Sequence, residues 1–577
     1  MLDSVGYLRT LAEAEDKTAA QWPAAAGKWP AAAALWARVV ELNPAVGYYW
    51  VRLAEARYEL DDFAGAIAAY EQAEQAGVWS RAALNVEDLH PETIETVFPA
   101  EVAYRIATCR LRRGDTDGAI SDLRRAISLG LRDLDRPRTD EHWEPVRADP
   151  AVRELLGIVD IDRMTRDEGW RADVTFFARE VKRRAYAPFA SVSEQDFDAA
   201  VARVAEDVPG QSDFQILAGL LRLLRLLGDG HAFAIPDQSK PGLGLPVKFY
   251  RFAEGLFVTA ATDAYREVVG AQVLSIDGRP VDEVLAAVEP LISRDNDQQV
   301  RWIGPEVLRW TPLLHALGLT SEPDQAMLSL RLGAESGKVV TVKAVEVGPH
   351  DYPLVAPPPS PTRPRPAGWI CLPDTVDAPM PLYLRNCDLP YWFEYLPDSD
   401  VVYFQFNGVG DQPRESLADF SARLFTFIDS HHVMKLIIDL RWNGGGNTYL
   451  VQPLLHRLIG CTKINQPGCL YVIIGRGTFS AAQNTATAIE RETNAIFVGE
   501  PTGSRPNFIG ETIPFQLPYS KTLVNVADLY WQTSWPMDHR PWIAPELYAP
   551  PTFESYRQNQ DPALDAILSS REHLAGW

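Results

Sequence analysis

Four short apolar runs, VVYFQFN, KLIIDLRW, LYVIIG and AIFVGE, fall between residues 401 and 500 and constrain the fold of this chain more than any other feature. Their apolar positions do not alternate with polar ones, so each reads as a strand buried on both faces rather than one with a wet side. The stretches between them, SLADFSARLFTFIDS, TYLVQPLLHRLIG and SAAQNTATAIERET, carry helical patterning. Strands of this kind alternating with helices predict βα units joined by crossovers around a mostly parallel sheet.

Two turns in this region stand out. After KLIIDLRW comes Asn443-Gly444-Gly445-Gly446-Asn447, and after LYVIIG comes Gly475-Arg476-Gly477-Thr478-Phe479-Ser480, with Ser480 opening a helix. Ser480-Ala481-Ala482-Gln483 fits a capping box, in which the serine caps the helix and the glutamine caps back. A serine at a helix start is also placed to act as a nucleophile, because the first backbone N–H groups can stabilise a developing oxyanion. The glycine triplet reads either as a plain turn or as a cradle that lets a substrate backbone approach closely. It is not a nucleotide loop, since no GxxxxGK[ST] occurs. His231 follows an apolar helix in Asp229-Gly230-His231. It reads as a surface or capping histidine or as the base that a serine nucleophile requires.

Upstream, the chain repeats itself. Ala32 and Ala66, Trp36 and Tyr70, and Val39 and Ala73 are each 34 residues apart, and a third copy carries Ala119, Leu123 and Ala126. The third copy follows an insertion, VWSRAALNVEDLHPETIET. The pattern resembles tetratricopeptide repeats, in which small residues let paired helices approach. The segment 158–237 is helical in pattern, and 238–350 reads as short strands with one helix. Within it GAQVLSIDGRPVDEV resembles the closing strand, turn and helix of a PDZ-type module. Residues 351–368 contain PLVAPPPSPTRPRPAG, an extended connector, because proline lacks the N–H donor and fixes φ.

Composition bounds the partners. The formal net charge is −22, which disfavours phosphate backbones and anionic lipid. Five cysteines without a CxxC pair suggest reduced thiols rather than a disulfide framework or a zinc site. No signal-like start and no run of about 18 apolar residues occurs, so the expected location is the cytoplasm, without a membrane span. No metal or other cofactor is expected.

Taken together and in order, D-G-H after an apolar helix, IIDLRWNGGGN, GRGTFSAAQNTATAIE, VGEPTGS and WPMDHRPWIAPELYAPPTFESY resemble the tail-specific (C-terminal processing) serine protease family, in its tricorn-core and chlamydial-protease-like branch. The likeness spans residues 160–565. It implies a ClpP/crotonase-like α/β core, with Ser480 as nucleophile and oxyanion donors from Ala481 and from Gly445 or Gly446. One branch of the family uses a lysine as base; the matching position here is Arg505, whose guanidinium stays protonated and cannot serve. The other branch uses a histidine and a carboxylate. His231 matches the histidine, and Asp538 matches the carboxylate in order, where the family usually has a glutamate. Glu500 and Glu511 are alternative acids, and His539 an alternative base.

The expected fold is therefore multidomain α plus α/β. Residues 1–157 form tetratricopeptide-like helical repeats, 158–237 a helical segment carrying the base, and 238–350 a degenerate PDZ-like β module. Residues 351–368 are a linker and 369–577 an α/β protease core. The expected activity is a serine peptidase on peptide or protein substrates. The repeat arm offers a site for a protein partner, and oligomers are compatible with it. The alternatives are a catalytically silent peptide-binding scaffold and a crotonase-like acyl-transfer or thioester enzyme.

Overall fold

The computed structural model describes residues 28–77, 99–131, 133–333, 335–348, 368–386, 388–512 and 514–569. The insertion between the second and third repeat copies and nearly all of the proline-rich connector lie outside the described residues. The chain divides into two compact units, Met1–Arg163 and Met164–Trp577. A helical repeat region is followed by a mixed α/β body.

In the first unit, helices Trp29–Leu42, Phe63–Ala76 and Thr116–Ser128 carry the repeated positions. Ala32, Ala66 and Ala119 are completely buried, as are Trp36, Val39, Ala73, Leu123 and Ala126. The start of the helix repeats as well. Asp62 accepts from Gly65 N–H at 2.9 Å, and Asp115 accepts from Gly118 N–H at 3.0 Å. These N-caps satisfy donors that a helix start leaves orphaned.

The second unit is built on a six-stranded sheet in the order Tyr391–Leu396, Val401–Phe406, Lys435–Asp439, Leu470–Ile474, Ile496–Gly499, Leu547–Tyr548. The first pair is antiparallel and the rest are parallel. Helices Leu417–Ser430, Gln452–Gly460 and Ala481–Glu492 are the crossovers. Both faces are covered, which is why the strand sequences lack alternation. Val402, Phe404 and Phe406 pack with Leu417, Phe420 and Leu424 on one face. Val401, Tyr403 and Ile437 pack with Ala563 and Ile567 of the last helix on the other. Arg441 ties that helix down, donating to both oxygens of Asp561 at 2.9 Å.

The β module has a second sheet in the same unit. Its strands run Trp369–Cys371, Gly255–Thr262, Gln272–Ile276, Gln325–Leu332, Glu335–Lys343, with Val247–Phe252 also paired to Gly255–Thr262. The strand, turn and helix expected over GAQVLSIDGRPVDEV form as Gln272–Ile276, a left-handed turn at Asp277 and Gly278, and helix Val281–Val288. Trp369–Cys371, assigned by sequence to the core, instead completes the module's sheet. The helical segment is also woven into this unit. Asp173 of helix Arg166–Arg184 accepts from Tyr519 and Ser520 N–H at 2.8 and 2.7 Å. Among the described residues no helix is long and apolar enough to cross a membrane, and no group of three or more His, Cys, Asp or Glu is placed to hold a metal ion.

Candidate active site

Parallel strands leave their carboxyl ends free for a site, because the turns that follow them open on one edge. The turns after Lys435–Asp439 and Leu470–Ile474, adjacent strands, meet there. They are stitched by Thr478, whose hydroxyl donates to Leu440 O at 2.9 Å, and by Phe479 N–H, which donates to Asn443 O at 3.1 Å.

Ser480 stands at the start of helix Ala481–Glu492 with φ 53° and ψ −125°. A positive φ is costly for a residue with a β-carbon, and such strain persists where surrounding structure enforces it, often at a functional turn. The serine side chain makes no capping bond. Gln483, the other half of the capping box suggested by sequence, donates instead to Thr487 at 3.2 Å. The cap is therefore not what holds Ser480, which is half-buried.

Gly445 and Gly446 have φ of +116° and +136°. A β-carbon on Gly445 would lie 2.7 Å from Ser480 Cβ and 3.0 Å from Ala481 N. On Gly446 it would run into Val409 O at 2.0 Å, because Gly446 bridges to Val409 in a short parallel pairing. Only glycine fits either place. Gly445 N–H already donates to Asn443 Oδ1 at 3.0 Å. Gly446 N–H and Ala481 N–H have no acceptor among the described residues. The latter is one of the donors that a helix start leaves open.

His231 is held by its backbone. Its N–H donates to Asp229 Oδ1 at 2.7 Å, and its carbonyl accepts from Asn525 at 2.9 Å. Gly230 beside it donates to Asp295 Oδ1 at 3.0 Å and accepts from Gln299 at 2.7 Å. Asp295 also accepts from the Ser504 hydroxyl and, through its carbonyl, from Arg505. Gly503 in turn donates to Thr478 O at 3.0 Å. A chain of contacts thus joins the turn of His231 to the turn of Ser480. Burial pushes Asp229 up to about 7 and Asp295 up to about 6.

The imidazole ring itself packs on aromatic neighbours, 4.4 Å from the Phe479 ring and 5.6 Å from that of Phe508, centroid to centroid. Both ring nitrogens are sealed from solvent and bond no side chain among the described residues; the backbone of Ile509 lies close enough to favour the charged ring, but not at full hydrogen-bond geometry. Burial pushes the imidazole down to about 4.

Asp538 does not meet this ring. Arg540 donates to its two oxygens at 3.0 and 2.8 Å, and the Ser534 hydroxyl at 2.6 Å. Arg540 also grips Glu490 at 2.7 Å. The guanidinium holds Asp538 well below the usual carboxylate range. The match in sequence order placed Asp538 beside His231; the arginine two residues on, which a motif comparison does not weigh, captures it. Glu500 is likewise engaged, by Arg476. Arg505 sits at the lysine position and donates to Asp295 O at 2.9 Å.

A family model for the tetratricopeptide repeat matches residues 101–129. No curated protein matches the sequence of this chain. Among solved structures the chain is similar to mature CPAF complexed with lactacystin, at 15% identity and a TM-score of 0.49, over 70% of this chain and 97% of that one. It is similar to the photosystem II D1 C-terminal processing protease at 13% identity and a TM-score of 0.33, over 69% and 96% of the two chains. A putative peptidase from Parabacteroides merdae matches at 12% identity and a TM-score of 0.36, over 70% and 98%.

Four residues that shape the site carried no usable signal in the sequence. Asp229 lies in the D-G-H motif, but only its long-range partner Ala527 reveals its buried carboxylate. Phe479 lies in the serine turn, but only its packing on His231 reveals it. Phe508 and Asp295 lie in unremarkable stretches, and only their long-range partners reveal them.

Proposed function

We propose that this chain is a serine peptidase acting on peptide or protein substrates, with Ser480 as nucleophile and His231 as base. The observation that supports it most is the strained turn of Ser480 at a helix start, with its hydroxyl unused as a cap and Gly445 packed against it. Ser480 Oγ attacks the peptide carbonyl as His231 takes its proton. Ala481 N–H and Gly446 N–H stabilise the oxyanion; Gly445, its own donor spent on Asn443, makes room for it. His231 then protonates the leaving amine, and water hydrolyses the acyl-enzyme. Asp538 enters this reading only as an anchor of its own loop, so the machinery is a Ser–His pair.

The repeat unit suits a second protein or a client segment, by its repeated helices. The PDZ-like character of the β module and a cytoplasmic location belong to the same proposal and rest on sequence. The sealed imidazole, which no carboxylate meets, favours a second reading, a silent peptide-binding scaffold. A fluorophosphonate probe with wild type and Ser480→Ala separates the two. Labelling and peptide cleavage lost in Ser480→Ala support the peptidase. Wild type that neither labels nor cleaves, or a Ser480→Ala protein that cleaves at the wild-type rate, overturns it.

A further inference from the structure

If Ser480 and His231 act as proposed above, the base in this structure is packed like a core residue. A general base must offer a lone pair within hydrogen-bond reach of the proton it removes. Both His231 nitrogens are sealed from solvent and neither bonds the Ser480 hydroxyl; the polar neighbour acting on the ring is the Ile509 backbone. Of the two aromatic rings packed on the imidazole, the nearer by centroid belongs to Phe479, the residue immediately before the nucleophile.

Neither main chain can shift easily. Phe479 N–H donates to Asn443 O at 3.1 Å and its carbonyl accepts from Ala482 N–H at 3.0 Å. His231 is held at both its N–H and its carbonyl. Phe508, on strand Asn507–Thr512, is 2% exposed and forms a fixed wall, stacked on the imidazole at 10°. Phe479 is only half-buried, so it is less confined than Phe508. What can change is the side-chain rotamer of Phe479, and with it that of His231.

We propose that Phe479 is a gate on His231: with its ring in, the imidazole is wedged against Phe508 and Ser480 is idle, and an apolar substrate side chain seated beside Ser480 turns the ring out and frees the imidazole to reach Oγ. Phe479 is then a positioning residue that acts through His231. The acidic groups of the surrounding elements are Asp229, Asp295, Asp528 and Glu511, and none of them takes a hydrogen bond from the ring. The gate is therefore steric. The occupant it favours is a peptide with an apolar residue at the cleavage site, because only an apolar group can replace the ring without stranding a polar atom.

The test uses the full chain and a small fluorophosphonate that carries no peptide side chain. Phe479→Ala is expected to label at Ser480 roughly tenfold faster than wild type, since the cost of opening is removed. A short apolar peptide amide is expected to speed the labelling of wild type and not of the variant. A folded Phe479→Ala protein that labels no faster than wild type overturns the gate and leaves the peptidase reading standing. Loss of labelling in every form of the chain overturns both. A measurement on wild type alone guards against a variant that does not fold. In a carbon-13 histidine NMR titration, His231 is expected to titrate well below its ordinary range at rest and to move toward it with the peptide amide bound. Ordinary titration at rest overturns the gate.

Discussion

Gly445 and Ser480 touch so closely that the glycine's missing β-carbon is part of the site: one placed there would stand 2.7 Å from the serine's own. Two turns separated by 35 positions in sequence numbering (480 − 445) are thereby locked as one surface. The hydroxyl, the Ala481 N–H and the glycine turn keep their arrangement only while that gap stays empty.

Gly445→Ala is accordingly expected to cut kcat by about 10²-fold or more, on the scale of losing one oxyanion donor. The strain at φ +116° adds to the steric clash. Peptidase assays beside circular dichroism check it. A folded variant with wild-type turnover would mean that the turn is not part of the machinery.

Asp538 gives the opposite expectation. Its carboxylate serves Arg540 and Ser534. Asp538→Asn should leave kcat within about fivefold of wild type, whereas loss of a triad acid costs about 10⁴-fold. Steady-state kinetics decide it, and a drop of the larger size would return Asp538 to the imidazole in the working enzyme.

Buried Asp229 predicts a pH dependence of stability. Its folded pKa, about 7, lies above the ordinary carboxylate value of 3.8. The folded state then binds more protons than the unfolded one between these values, so this group's contribution is full below pH 3.8 and is lost as pH rises toward 7. Asp229→Asn should flatten that decline in melting temperature measured from pH 4 to 7. An unchanged slope would assign the decline to other groups.

Asp295 connects the turn of His231 to Ser504. Asp295→Ala leaves the Gly230 N–H and the Ser504 hydroxyl without their acceptor, at a cost of about 1–3 kcal/mol. Urea unfolding should register that loss, with kcat/KM falling alongside. A destabilised variant with unaltered kcat/KM would show that the link serves the fold only.

In the repeat unit, Ala119 is completely buried between helices. Ala119→Leu should overpack the contact and destabilise the unit by about 1–3 kcal/mol. Thermal unfolding of the whole chain reads this as an earlier transition, with the peptidase rate unchanged if the two units fold independently.

The local architecture was legible because periodicity is written into neighbouring residues. The apolar runs from Val401 to Gly499 announced a sheet buried on both faces, and the spacing of Ala32, Ala66 and Ala119 announced repeated helices. The turn of Ser480 and the glycine turn were visible as interruptions between a strand and a helix. Sequence left Ser480 poised between helix cap and nucleophile; only its backbone angles and the diversion of Gln483 to Thr487 set the cap aside. That Asn443 claims the Gly445 N–H and leaves that of Gly446 open was not readable from the glycine triplet. The surroundings of His231 waited on Phe508, 277 positions away by numbering (508 − 231), and the fate of Asp538 on an arginine beside it. Patterning decides which elements form, because burial is paid residue by residue along the chain. Which polar atom finds which partner is decided only when distant segments are brought within about 3 Å of each other, and no local pattern encodes that distance.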